Sequence, residues 1–236
     1  MMYIIGLGLN EKSISLEGIE AIEKCEKVYL ESYTVEFPYS FEELEKRIGK
    51  KIININREVV ESDKLIKEAK REDIALLVYG SPLTATTHIT LIQEAKKQKV
   101  KYEIIYNASI LDSVAECGLQ LYKFGKIASM PKWQKNFTPD SFMEIVKDNQ
   151  KINAHSLILI DIGLELKEAI KQLEESAKKH NVKLDKMVVC SGLGTGKSKI
   201  IYKKVGDLKK QSIAKPYCII IPSKLHFMEE EVLENS

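Results

Sequence analysis

Three glycines lead into Lys197 and Ser198 in the stretch VVCSGLGTGKSKIIYKK, residues 188–204. A glycine loop ending in Lys-Ser can cradle phosphates when a helix follows it, because the first backbone N–H groups of that helix then face the anion. Counting back from Gly196, the opening glycine of that pattern falls on Ser191. After Ser198 the chain continues as KIIYKK, whose β-branched and aromatic residues favour a strand over a helix. The loop therefore reads as the turn of a hairpin, where glycines supply the backbone conformations that tight turns need.

A second glycine stretch, IIGLGLNEKSISLEGIEAI, closes the first apolar run with Gly6 and Gly8, and Ser13 or Ser15 can cap the helix beyond it. A dinucleotide fingerprint would place its third glycine at position 11, where Glu11 stands. A carboxylate there repels a pyrophosphate, which disfavours NAD and FAD. Two further apolar runs end in the same manner, through Gly80-Ser81-Pro82 and through Asn107-Ala108-Ser109. Any one of these is an ordinary strand-to-helix turn. Together they suggest one pocket, since ligands of open parallel sheets bind beyond the carboxyl ends of the strands. Glycine at such an end lets a ligand approach the backbone, so valine at Gly8 is expected to abolish ligand binding in a folded protein.

Other chemistry finds little support. Cys25, Cys117, Cys190 and Cys218 lie far apart in apolar contexts, and His88, His155, His180 and His226 form no closely spaced ligand pair. That pattern predicts buried, reduced thiols and no metal site. Lys and Arg number 36 against 34 Asp and Glu, a net charge of +2 with neither half strongly basic, so charge points to neither nucleic acid nor a membrane surface. With 44% hydrophobic and 30% charged residues, no basic leader and no apolar run long enough to span a bilayer, a soluble cytoplasmic protein is expected.

The elements that must position these turns alternate in the first half. MYIIGLG, KVYL, KIININ, IALLVYG and YEIIYN read as strands, with helical spacing in LEGIEAIEKC, FEELEKRIG, DKLIKEAKR and HITLIQEAKKQ between them. Alternation of this kind predicts a mostly parallel sheet with helices on both faces. The second half holds the apolar runs HSLILIDI, KMVVCS and YCIIIPS, the shorter KIIYKK, and one long helical stretch, LELKEAIKQLEESAKKH. An α+β domain with a mixed sheet is expected there. The proline-marked KIASMPKWQKNFTPDSF is read as connecting sequence, and the domains are assigned as 1–114 and 115–236.

GLGL at 6–9, LESYT at 30–34, GSPLTATTH at 80–88, NASI at 107–110, YKFGK at 122–126 and KLHFMEEE at 224–231 together resemble the diphthine synthase family, within the tetrapyrrole-methylase-like superfamily. The resemblance runs in register along the whole chain. It implies an α/β, two-domain fold with the cofactor in the inter-domain cleft, and a homodimer. It also implies transfer of methyl groups from S-adenosylmethionine to the amino group of the aminocarboxypropyl-histidine of translation elongation factor 2. Cofactor contacts carried over motif by motif fall on Leu9, Ser81, Thr84, Ser109, Ile110, Ile160, Tyr202 and His226. Two departures stand out: Gly80-Ser81-Pro82 where the family usually has Gly-Asp-Pro, and Ser191-Gly192-Leu193-Gly194 where it tends to an Arg-Ala-Gly turn.

Methyl transfer from a sulfonium asks chiefly for alignment. The acceptor amine must be neutral, and an α-amino pKa of about 7.7–8.0 leaves little for a base to do. No indispensable catalytic base is therefore expected; Tyr33 and Thr87, with His226, are candidates for orienting the substrate. Two alternatives remain at this stage, a methylase acting on a corrin-type small molecule and a non-catalytic S-adenosylmethionine-binding adaptor. A hairpin turn at 192–196 would make the lysine beside it dispensable for binding. Lys197→Ala leaves cofactor affinity and methyl transfer near wild type, and titration with ATP or GTP shows at most weak binding; nucleotide hydrolysis by the wild type, lost in the variant, overturns it.

Overall fold

Backbone polar groups of a strand buried on both faces must be satisfied within the sheet. The computed structural model, which describes residues 1–235, meets this need with two separate sheets. The chain divides into two compact units, Met1–Leu111 and Asp112–Ser236.

The first unit runs β1 (Met2–Gly6), α1 (Leu16–Lys24), β2 (Lys27–Glu31), α2 (Phe41–Ile48), β3 (Ile53–Ile55), α3 (Arg57–Glu61), α4 (Lys64–Ala69), β4 (Ile74–Val78), α5 (Ile89–Lys97) and β5 (Tyr102–Ile105). Its sheet has the order β3-β2-β4-β1-β5 with every pairing parallel. β1 and β4 are buried along their whole length, as MYIIG and IALLV predict. Successive side chains of β1 divide between two cores: Met2 and Ile4 pack with Leu65, Ile66, Leu91 and Ile92 from α4 and α5, while Tyr3 and Ile5 pack with Ala21, Ile22, Leu44 and Ile48 from α1 and α2. The helices begin and end where the local chemistry directs. Ser15 caps α1 by accepting the Gly18 N–H at 3.0 Å, and Ser40 with Glu43 forms a capping box at α2. Gly49 closes α2 at φ +69°, a left-handed conformation that glycine adopts without a Cβ penalty.

A short α6 (Ile110–Ser113) leads into the second unit, which continues β6 (Ala128–Met130), α7 (Ser141–Lys151), β7 (Ser156–Ile160), α8 (Leu166–His180), β8 (Lys186–Ser191), β9 (Lys199–Lys204), α9 (Val205–Leu208), β10 (Tyr217–Ile221) and α10 (Phe227–Glu234). The sheet order is β6-β7-β10-β8-β9, parallel between β6 and β7 and antiparallel elsewhere, the mixed sheet expected. Its core joins Phe142, Met143 and Val146 of α7 and Ile170 and Leu173 of α8 to Ile158, Met187, Val189 and Ile219 on one sheet face. Edge strand β9 carries Lys199, Lys203 and Lys204, charges that discourage pairing with another chain. Two elements lie inside the stretch read as connecting sequence: β6, and the start of α7. Three residues of strand show no periodicity, and the prolines at 131 and 139 lie between β6 and α7 without interrupting either element. Among the described residues no helix is long and apolar enough to cross a membrane.

Candidate functional site

The three turns singled out in the sequence leave the carboxyl ends of β4, β1 and β5, which are adjacent strands. Register places Gly6 level with Val78 and Ile5 level with Ile105, so the chains leave the sheet side by side. Backbone bonds tie them beyond the sheet: Gly8 and Gly80 exchange N–H···O bonds at 3.1 and 2.9 Å, and the Leu7 N–H donates to the Val78 carbonyl at 2.9 Å. The Asn107 carboxamide bridges the third turn to the first, donating to the Gly6 and Ser13 carbonyls at 3.0 and 2.9 Å while accepting the Ala108 N–H at 2.8 Å. Tyr79 adds a hydroxyl bond to the Leu9 carbonyl at 3.0 Å.

This closeness gives the glycines a structural cause. A Cβ on Gly6 would lie 2.6 Å from the Gly80 carbonyl oxygen. At Gly8, φ is +69° and a Cβ would meet the Ser13 Cβ at 2.5 Å and Asn107 Oδ1 at 3.0 Å. Valine there collides with the turn itself, so the expected clean loss of ligand binding in an undisturbed fold does not describe this position. Ser15, of the two serines considered, is the one that caps α1.

Of the family-implied cofactor contacts, Leu9, Ser81, Thr84, Ser109 and Ile110 all sit on these turns. Leu9, Ser81 and Ser109 are buried, Thr84 and Ile110 partly so. The Ser109 Oγ accepts the Leu111 N–H at 3.2 Å, and the Gly80 turn lies against Ser109, since a Cβ on Gly80 would be 3.7 Å from the Ser109 Cα. Tyr33 and Thr87 stand on different loops, after β2 and after β4 respectively. Thr87 is exposed and lends its carbonyl to Thr90. Tyr33 has the Arg57 guanidinium 5.3 Å from its ring centre, and its buried hydroxyl has no partner among the described residues. Burial first, and then the charge of Glu31, push its phenol up to about 12.

Glu31, in the same LESYT motif, was passed over by sequence reasoning. It ends β2 fully buried, and Thr34 Oγ1 lies 2.7 and 2.9 Å from its two carboxylate oxygens. Burial raises its pKa to about 7, opposed by the Thr34 hydrogen bonds and the more distant Arg57 charge. The signal for it is weak: an acidic residue at the end of an apolar run is more often solvated.

In the second unit, Ile160 closes β7 and packs against the core, Tyr202 lies in edge strand β9 beneath the Lys186 ammonium at 4.9 Å, and His226 caps α10. They are not brought to one spot within this sheet. Ile160 lies one residue past the Leu159–Cys218 pair, near the start of β10, whereas Tyr202 aligns through Val188 with Ile220, near its end. The exposed His226 accepts the Met228 N–H on Nδ1 at 3.4 Å. Its own N–H donates to Glu229 at 2.7 Å. Glu229 is buried completely and also accepts from the Gln120 N–H at 3.0 Å, from the Lys123 ammonium and from His155 Nε2 at 3.3 Å. The Ser223 N–H donates to His155 Nδ1 at 3.0 Å, so the imidazole proton sits on Nε2 and points at the carboxylate. Burial works against the charge of Glu229, but the His226 and Gln120 amides, Lys123 and His155 outweigh it and hold the carboxyl down at about 2.

The glycine loop is the turn of an antiparallel β8–β9 hairpin, with Gly192 and Gly194 at φ +58° and +74° and the Thr195 side chain folded back onto the Gly192 carbonyl at 2.6 Å. A strand, not a helix, follows Ser198, so the loop lacks the succeeding helix that a phosphate cradle of this pattern uses.

Residues 1–209 match the family model described as Tetrapyrrole (Corrin/Porphyrin) Methylases. The chain is 44% identical over 165 residues to a diphthine methyl ester synthase of Schizosaccharomyces pombe, a match covering 69% of this chain and 58% of that protein. It thus spans little more than half the length of that relative. Against the diphthine synthase of Methanococcus aeolicus it is 37% identical over 252 residues, covering 99% of this chain and 97% of the relative. A solved structure described as diphthine synthase superimposes with a TM-score of 0.91 at 33% identity, over 99% of this chain and 94% of that one.

The Glu229 cluster makes a direct prediction. A carboxyl held near 2 in the fold and near 4.3 in the unfolded chain adds stability that is complete above about pH 4.3 and is lost as pH falls toward 2. Glu229→Gln leaves Lys123 and His155 facing a neutral amide and costs about 3–5 kcal/mol at pH 7. Denaturant titrations from pH 7 to pH 2 should show the gap between variant and wild type closing below about pH 4; a gap that is constant across that range removes Glu229 as the cause.

Proposed function

This chain belongs to the tetrapyrrole (corrin/porphyrin) methylase family, and we propose that it is an S-adenosylmethionine-dependent N-methyltransferase of diphthamide biosynthesis, methylating the amino group of the 3-amino-3-carboxypropyl-histidine on translation elongation factor 2. The observation that carries the reading is the similarity to a diphthine synthase along 99% of the chain. We place the protein in the cytoplasm as a homodimer.

When bound, S-adenosylmethionine would supply an electrophilic methyl to the amine lone pair, with S-adenosylhomocysteine as the leaving group and the amine proton released to solvent. The donor set of the first unit fits such a cofactor. Hydroxyls of Ser81, Thr84 and Ser109 and the peptide groups of three turns can hydrogen-bond adenosine and amino-acid groups, and the buried Leu9 together with Ile110 offers apolar contact. Ile160, Tyr202 and His226 would complete the contacts. Tyr33 and Thr87 would orient the acceptor. Desolvation of an amine near a sulfonium lowers its pKa, so these residues need only align it.

A second reading adds transfer to a carboxylate oxygen, since the Schizosaccharomyces pombe relative is named a methyl ester synthase. Purified elongation factor 2 bearing the aminocarboxypropyl-histidine, incubated with labelled S-adenosylmethionine, tests both. Acid- and alkali-stable label on the histidine is the expected outcome, and an additional alkali-labile methyl assigns the ester. Label moving only to a corrin precursor, or cofactor binding with no labelled product, replaces the proposal with a small-molecule methylase or an adaptor.

Ser81 stands where the family usually carries an acidic side chain, and it is only 9% exposed. Its hydroxyl lacks the charge-assisted part of the hydrogen bond, worth about 1 kcal/mol. Ser81→Asp is therefore expected to tighten S-adenosylmethionine about fivefold in calorimetric titration, more at low ionic strength. Weaker binding would show that the turn has adapted to serine.

A further inference from the structure

The Gly80–His88 turn holds two residues outside the ordinary backbone regions, Gly80 at φ +71° and Ala85 at φ +55°. The second is a cost that a non-glycine residue bears only when its surroundings enforce it. Pro82 has no N–H, so its carbonyl is the one polar backbone group it offers, and two side chains converge on it. Thr86 Oγ1 donates at 2.8 Å, and His88 Nδ1 lies at 3.0 Å. A carbonyl only accepts, so the imidazole proton is on Nδ1. The Thr84 N–H closes the same turn on the Ser81 carbonyl at 3.1 Å.

His88 is 1% exposed, and its Nε2 is buried with no partner among the described residues. Burial lowers its pKa, so the ring is neutral. Leaving a ring nitrogen unpaired in the interior is costly, and such groups ask for an explanation. His88 immediately precedes α5, whose Leu91, Ile92 and Ala95 are embedded in the core, so a rigid ring here ties the Pro82 carbonyl to an element packed in the core. Pro82 follows Ser81 directly and lies within one turn of Thr84.

We propose that His88 is a positioning residue for the cofactor site: its Nδ1–H holds the Pro82 carbonyl and thereby sets Ser81 and Thr84 toward the ligand. This rests on the reading of Ser81 and Thr84 as cofactor contacts. It assigns the work to Nδ1 and none to Nε2, which separates it from a role in touching a ligand. Asparagine can place an amide N–H close to the position of Nδ1, whereas glutamine places one near Nε2.

Calorimetric titration with S-adenosylhomocysteine distinguishes the cases, with circular dichroism and thermal unfolding run on each protein. His88→Asn should bind within about twofold of wild type, and His88→Gln and His88→Ala about tenfold more weakly, with helix and strand content retained. Thr86→Val, which removes the other donor from the same carbonyl, should weaken binding about threefold, and keeps the test open if a His88 variant does not fold. Retention by glutamine with loss in asparagine overturns the proposal in favour of Nε2. Equal affinity in all the variants overturns it outright. Wild type that binds no S-adenosylhomocysteine removes the cofactor reading itself, and this proposal with it.

Discussion

Everything that the first unit offers a ligand hangs on the pairing of β1 with β4 on one side and β5 on the other. Parallel strands end at the same edge of a sheet, and here the register brings three ends to one level. The backbone bonds between Gly8 and Gly80 and the Asn107 carboxamide then extend that alignment past the last ladder residues. A shift of β1 by one residue would turn Ile4 and Ile5 onto the wrong faces and misplace its turn, so the two hydrophobic cores enforce the geometry of the turns. The glycines have the same origin: at Gly6 and Gly8 a side chain would enter space that the neighbouring turns already fill.

Two glutamates, both wholly buried, show how strongly partners decide the state of a carboxyl group. Glu229 meets two backbone amides, an ammonium and an imidazole N–H, and its charge is stabilised more than burial penalises it. Glu31 is held by the hydroxyl and the backbone N–H of Thr34, fewer donors than Glu229 has, and burial prevails, lifting its pKa to about 7. The first is a structural anchor that fixes the entry to α10 and hence the place of His226. The second leaves the LESYT loop with a group that titrates near neutrality, in the same loop as the Tyr33 hydroxyl, which has no partner among the described residues.

Much of the fold was legible in the residue pattern. MYIIG and IALLV are too continuously apolar for a half-solvated strand, and they are indeed the inner strands of a sheet covered on both faces. KIIYKK announced a strand after the glycine loop, and the hairpin followed from that alone. The 128–151 stretch was harder. β6 is too short to carry a period, and α7 begins just beyond the second of two prolines, so the breakers dominated a pattern of Phe142, Met143 and Val146 that is helical in spacing. The turns carrying Ser81, Thr84 and Ser109 were recognisable as a set because small residues after apolar runs are a local signature.

The sequence by itself determined most of the elements and the hairpin, because periodicity and turn chemistry act over a few residues. It could not determine that β4 inserts between β2 and β1, or that Ile160 and Tyr202 fall toward different ends of one sheet. Nor could it show which glutamates lose their water, or that the Pro82 carbonyl is shared by Thr86 and His88. Those outcomes depend on contacts between residues distant in the chain, and only the packed tertiary structure decides which polar groups are enclosed together and which are left to solvent.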